Sequence, residues 1–193
     1  MLALGIDPGT AICGYGVVEL QGSRLVPIDY GAIETSPKLS DAERLVIIYD
    51  GIDALIKKYK PDMMGVELLF FNKNVRTAMV VGQARGVILL AAAQNAIPLA
   101  EFTPLQVKQA VVGYGKATKE QVIYMVQRLL HLPAKPHPDD VADALAIAIC
   151  TTHSANNRRD LACAKEVAPM RSQRCFAMKP KANSVDKLWG NKI

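Results

Sequence analysis

Hydrophobic residues come in short runs through the first third of the chain and every three or four positions through most of the rest. Leu2-Ala3-Leu4-Gly5-Ile6-Asp7 has the profile of a short buried strand that stops at the Pro8-Gly9 turn. Residues 12–20 and 24–34 are β-rich stretches joined by Gln21-Gly22-Ser23, which predicts a hairpin. The period changes after Ser40. Ser40-Asp41-Ala42-Glu43 is a capping box, and Leu45, Ile48, Ile52, Leu55 and Tyr59 follow at helical spacing until Pro61 ends the run. Residues 63–67 then form a short apolar stretch closed by Glu67, and 75–95 predict a long, largely apolar helix. In that helix Gly82 and Gly86, four apart, allow close backbone approach.

Residues 98–102 predict another short strand and 104–112 a short helix, followed by Gly113-Tyr114-Gly115. Thr118 with Gln121 makes a second capping box, and Val122, Met125, Val126, Leu129 and Leu130 line one face of the helix behind it. Pro133, Pro136 and Pro138 separate that helix from a last one, 139–153. Three strands, helix, strand, helix, strand and then helices describe an α/β domain, a mixed sheet flanked by helices, over residues 1–154. Periodicity fades beyond Ser154, so 155–193 is expected to be a loose, disordered tail.

Composition narrows the class. Half of the 193 residues are hydrophobic, enough for a sizeable core and too many for a disordered chain. Apolar runs such as 87–93 stay far short of the roughly 18 residues of a membrane span, and the first residues do not read as a secretory signal. Cys13, Cys150, Cys163 and Cys175 show neither a CxxC pair nor zinc spacing, which fits free thiols in a reducing cytoplasm. The net charge of +5 is uneven: residues 155–193 hold nine Lys or Arg against three acidic residues, leaving the body at −1. A basic tail suits contact with nucleic acid or another acidic surface.

Three separate stretches place carboxylates beside core-like residues. Asp7 ends the first strand, where α/β sheets bind ligands, although an Asp that opens a turn by bonding its own backbone is also ordinary there. Glu67 ends the run 63–67, and nothing in local turn chemistry asks for it. Asp139, Asp140 and Asp143 open the final helix. The first two suit the helix dipole behind Pro138, whereas Asp143 leads into the buried part of the helix. Either Asp139 or Asp140 shares a helix face with Asp143, and spacing leaves that choice open. Grouped carboxylates repel unless a cation lies between them, so convergence would make a two-metal phosphoryl-transfer site suited to Mg²⁺. His131, His137 and His153 form no competing set.

The ordered set Gly5-Ile6-Asp7-Pro8-Gly9-Thr10, Gly14-Tyr15-Gly16-Val17, Val66-Glu67 with Phe70, Gly82-Gln83-Ala84-Arg85-Gly86, Gln106-Val107-Lys108-Gln109 and Asp140-Val141-Ala142-Asp143-Ala144-Leu145-Ala146 resembles the RuvC family of crossover junction endodeoxyribonucleases over roughly residues 1–154. The resemblance implies a ribonuclease H-like fold. It also implies a homodimer that binds four-way DNA junctions and makes symmetrical nicks with Mg²⁺, two ions per subunit, Mn²⁺ being the alternative ion. Asp7, Glu67, Asp140 and Asp143 would be the catalytic, metal-holding carboxylates, and it is the family's Asp-x-x-Asp motif that selects Asp140 over Asp139. Phe70 would stack on a base at the crossover, and Lys108 and Lys119 would contact DNA near the scissile phosphate. Lys73, Arg76 and Lys116 are further cations with weaker claims, while Arg85 suits either a dimer contact or helix carbonyls. The helix 75–95 is expected to supply the dimer interface. The tail matches no family motif; extra DNA affinity and contact with a branch-migration helicase are both open to it. Two alternatives compete. A nucleotide-binding actin-like protein would use Asp7-Pro8-Gly9-Thr10 for phosphate but lacks a second phosphate loop. A non-catalytic junction binder would have little reason to keep four carboxylates.

Overall fold

Strand pairing decides which side chains meet on each face of the sheet. A computed structural model describes residues 1–68 and 75–162, with the backbone alone for 75–77 and 155–162. Its strands are β1 (Leu2–Asp7), β2 (Ile12–Gln21), β3 (Arg24–Glu34), β4 (Met63–Glu67) and β5 (Leu99–Phe102). Its helices are α1 (Asp41–Tyr59), α2 (Val75–Gln94), α3 (Pro104–Val112), α4 (Lys119–Leu129) and α5 (Asp139–Ala162). The sheet runs β3-β2-β1-β4-β5. The first three strands form an antiparallel meander, and β4 and β5 join parallel to β1. This is the mixed sheet flanked by helices that the periodicity predicts.

Alternation sends successive side chains to opposite faces. Leu4, Ile6, Cys13, Val17, Met64 and Val66 pack with Ile48, Ile52 and Ile56 of α1 and with Ala84, Ile88, Ala91 and Ala92 of α2. The other face carries α5, which α3 and α4 cover in turn through Val107, Val111, Val122 and Val126. Buried on both sides, α5 is apolar around its whole girth from Ala144 to Cys150, as a central helix must be.

Glycine lets α5 lie directly on the strands. A Cβ at Gly5 would collide with the backbone of Ala144 and Ala148, and one at Gly14 with the Asp140 carbonyl. These two positions hold the first turns of α5 against β1 and β2. The capping boxes at Ser40 and Thr118 form as expected, and Thr103 with Gln106 makes a third at α3. One detail differs from expectation: α5 continues through His153 to Ala162. Gly86 meets nothing within 4 Å, so its side of α2 is open to a neighbouring backbone.

Candidate active site

Asp7 and Glu67 are the last residues of neighbouring parallel strands whose register pairs Ile6 with Val66. Ile6 and Val66 point to the α1–α2 core, so alternation turns Asp7 and Glu67 to the α5 side. There α5 begins with Asp139, Asp140 and Asp143. The close seating at Gly5 and Gly14 therefore delivers the first turn of α5 to the sheet edge where β1 and β4 end. Sequence positions 7, 67, 140 and 143 meet in one place.

Charge points the same way. Burial first, and then the Asp143, Glu67 and Asp140 carboxylates, push the Asp7 carboxyl up to about 8, against a partial opposing pull from Lys119. Glu67 is raised by burial and by Asp143, with Lys108 and Lys119 working against the rise. Asp143 is also raised by burial, which outweighs its ion pair with Lys119. Cys13, beside Asp7 and Asp140, is driven up to about 12 chiefly by burial and stays a thiol. Burial first, with neighbouring like charges added to it, opposes ionisation of these carboxyls.

Cations form the opposite wall. Glu67 and Asp143 share a cleft of about 210 Å³ with Lys108 of α3 and Lys119 of α4, backed by Val107, Val122 and Ile147. The Lys119 ammonium lies 3.1 Å from Asp143 and 3.4 Å from Asp139. Burial works against its charge, but the hydrogen bonds and attraction of these two acids prevail and raise its pKa. Asp139 is largely exposed and turned to Lys119, whereas Asp140 acts on Asp7 and Cys13. This separates the two acids that spacing alone leaves equivalent.

Among the described residues, no group of three His, Cys, Asp or Glu side chains is arranged to hold a metal ion as it stands. The donor chemistry nevertheless suits a hard divalent cation: hard carboxylate oxygens, a shared charge excess, and one acid already drawn to an ammonium. His137 is exposed. Phe70 and Lys73 lie outside the described residues, as does the side chain of Arg76. Within the chain Arg85 of α2 forms an ion pair with Glu101 of β5. Sequence reasoning missed that pair, since Arg85 and Glu101 meet only when α2 packs across the sheet.

Comparison with known proteins agrees with this geometry. Residues 3–151 match the family model described as crossover junction endodeoxyribonuclease RuvC. The chain belongs to the RuvC family. It is 61% identical over 150 residues to the crossover junction endodeoxyribonuclease RuvC of Desulforamulus reducens, spanning 78% of this chain and 92% of that protein. The RuvC of Pelotomaculum thermopropionicum is 55% identical over 161 residues, 83% of this chain and 98% of that one. Among solved structures, Thermus thermophilus RuvC in complex with a Holliday junction substrate superposes with a TM-score of 0.78 at 36% identity, covering 82% of this chain and 96% of that one. The ribonuclease H-like architecture expected for a RuvC protein is the one observed.

Proposed function

We propose that the chain is a structure-specific endonuclease that resolves four-way (Holliday) DNA junctions in recombination and repair by paired symmetrical nicks. The observation that carries this reading is the meeting of Asp7, Glu67, Asp140 and Asp143 at one sheet edge, opposite Lys108 and Lys119. Family membership supplies the substrate class, since the Thermus thermophilus relative is described with a Holliday junction substrate.

In the proposed reaction a water oxygen forms a bond to the scissile phosphorus as the bond to the leaving strand breaks. Lys108 and Lys119 would neutralise the non-bridging phosphate oxygens as charge develops there. Asp7, Glu67, Asp140 and Asp143 would hold two Mg²⁺ per subunit, with Mn²⁺ able to replace it. When bound, the ions would polarise the phosphate and acidify the attacking water. Asp7 holds its proton to about pH 8 in the metal-free protein, so metal loading should release protons near neutral pH. The apolar backing of Val107, Val122 and Ile147 limits solvation around the reacting phosphate.

Symmetrical nicking requires two sites, which we assign to a homodimer joined through α2. Met79, Gln83, Gly86, Leu90 and Ala93 form an exposed stripe at heptad spacing, with Met79 64% and Leu90 49% exposed. Val46 and Ile47 of α1 add exposed apolar surface. The proposal places the protein in the cytoplasm, in keeping with the unpaired buried thiols of Cys13 and Cys150. It divides the chain into a nuclease domain, 1–154, and a basic tail, 155–193, that adds DNA affinity. A branch-migration helicase complex belongs to the same proposal, on the strength of the family resemblance alone.

Asp7→Asn tests the site. It should abolish cleavage while junction affinity stays equal or rises, because a repelling charge is removed. Loss of binding with normal cleavage per bound complex would overturn the assignment.

A further inference from the structure

The turn between α3 and α4 holds an exposed aromatic ring and a cation that the proposed reaction leaves unused. Gly113, at φ 91°, reverses the chain after α3, and Tyr114, Gly115 and Lys116 lead back toward the Thr118 cap of α4. Tyr114 is 47% exposed, yet its hydroxyl donates to Gln121 Oε1 at 3.0 Å. That oxygen also accepts the Thr118 backbone N–H at 2.9 Å. The ring is thus held in place while open to solvent.

The turn is braced from below. A Cβ at Gly115 would run into the Leu105 side chain, and Leu105 is itself 54% exposed. Leu105 and the turn make an apolar step along the crest of α3. The step is continuous with the cleft: Pro104 and Lys108, on either side of Leu105, line it, as does Lys119 beyond the turn. Charge runs the same way. Residues 104–119 contain Lys108, Lys116 and Lys119 and not one Asp or Glu, and Lys116 is exposed. Basic side chains interleaved with exposed apolar and aromatic ones suit a nucleic-acid strand, which offers phosphates and flat bases together.

We propose that Tyr114 and Lys116 form a further DNA contact on the rim of the cleft. The Tyr114 ring stacks on a nucleotide of the strand leaving the cleft, and the Lys116 ammonium neutralises a phosphate beside it. This inference rests on the junction-nuclease reading and adds a contact outside the carboxylate site. Tyr124, equally exposed at 49% but paired with Arg128 on the outer side of α4, is the matched control.

The test measures dissociation constants of the full-length protein for a synthetic four-way junction and a linear duplex, without divalent metal, across a salt series. Tyr114→Ala should weaken junction binding about tenfold, the scale of one base–aromatic stack. Tyr114→Phe, which keeps the ring but loses its tether, should lose only a small part of that affinity, and Tyr124→Ala should bind like the wild type. Lys116→Met should lower the slope of log affinity against log salt by about 0.9, one phosphate contact fewer. Wild-type affinity and slope in both Tyr114→Ala and Lys116→Met would overturn the proposal, and so would an equal loss in Tyr114→Phe, which keeps the ring. A wild type that binds junction and duplex alike would instead sink the resolvase reading, while the same variants on duplex would still decide the contact.

Discussion

Asp7 sits where burial and charge both oppose ionisation, and its titration should be visible in the stability of the metal-free protein. Its carboxyl keeps a proton to about pH 8, against 3.8 in an unperturbed chain. The folded state therefore binds a proton that the unfolded chain has already released. That contribution to stability is complete below about pH 3.8 and is lost as pH rises through about 8. Glu67 and Asp143, also raised, act in the same direction. Thermal midpoints of the metal-free protein should fall from pH 5 to 9, and Asp7→Asn should flatten the fall. At pH 9 the variant should gain at least about 1 kcal/mol, or about 2–4 °C. A slope unchanged by the substitution would contradict a buried, repelled Asp7. Asp139 and Asp140 also part company at this scale. Asp139→Asn breaks an exposed ion pair with Lys119 and should alter the cleavage rate less than about fivefold. Asp140→Asn removes a group that acts on Asp7 and should cost at least about a hundredfold. The reverse order in single-turnover rates would put the wrong acid in the site.

Between elements, the decisive contact is α5 lying on β1 and β2. Gly5→Ala should push the Ala144–Ala148 segment off the sheet, destabilising the fold by about 1–3 kcal/mol. Because that movement separates Asp140 and Asp143 from Asp7, cleavage should drop more than junction binding. A structure of the variant with α5 unmoved and full activity would show that the seating is not what assembles the site. Much of this level was legible in advance. The apolar strand runs, the Ser40 and Thr118 boxes and the switch to helical spacing are local signals, and each produced its element. The seating of α5 was not legible, because a glycine in a strand does not announce which helix will cover it. The Arg85–Glu101 and Lys119–Asp139 pairs join residues far apart in the chain, so no local spacing encodes them. The run of α5 past 153 escaped pattern reading because its later turns, which include Asn156, Asn157, Arg158 and Arg159, carry no apolar period. Pattern reading finds amphipathic helix and misses a polar extension.

For the molecule as a whole, the question is whether two sites are brought to one junction. The α2 stripe is apolar except at Gln83, and Gly86 leaves room for another backbone. Leu90→Glu should therefore convert the proposed dimer to monomers in sedimentation equilibrium at micromolar concentration, with the fold retained. A dimer that survives the change would move the interface elsewhere. The acidic site and its lysine wall lie within each copy, so a monomeric variant should lose paired nicking before it loses the ability to cut at all. The most direct measurement is cleavage of a synthetic four-way junction against a linear duplex of the same sequence, with and without Mg²⁺. Symmetrical paired nicks in the junction alone, and only with the metal, are the predicted result; equal cutting of duplex, or nicking that needs no divalent ion, would contradict the account.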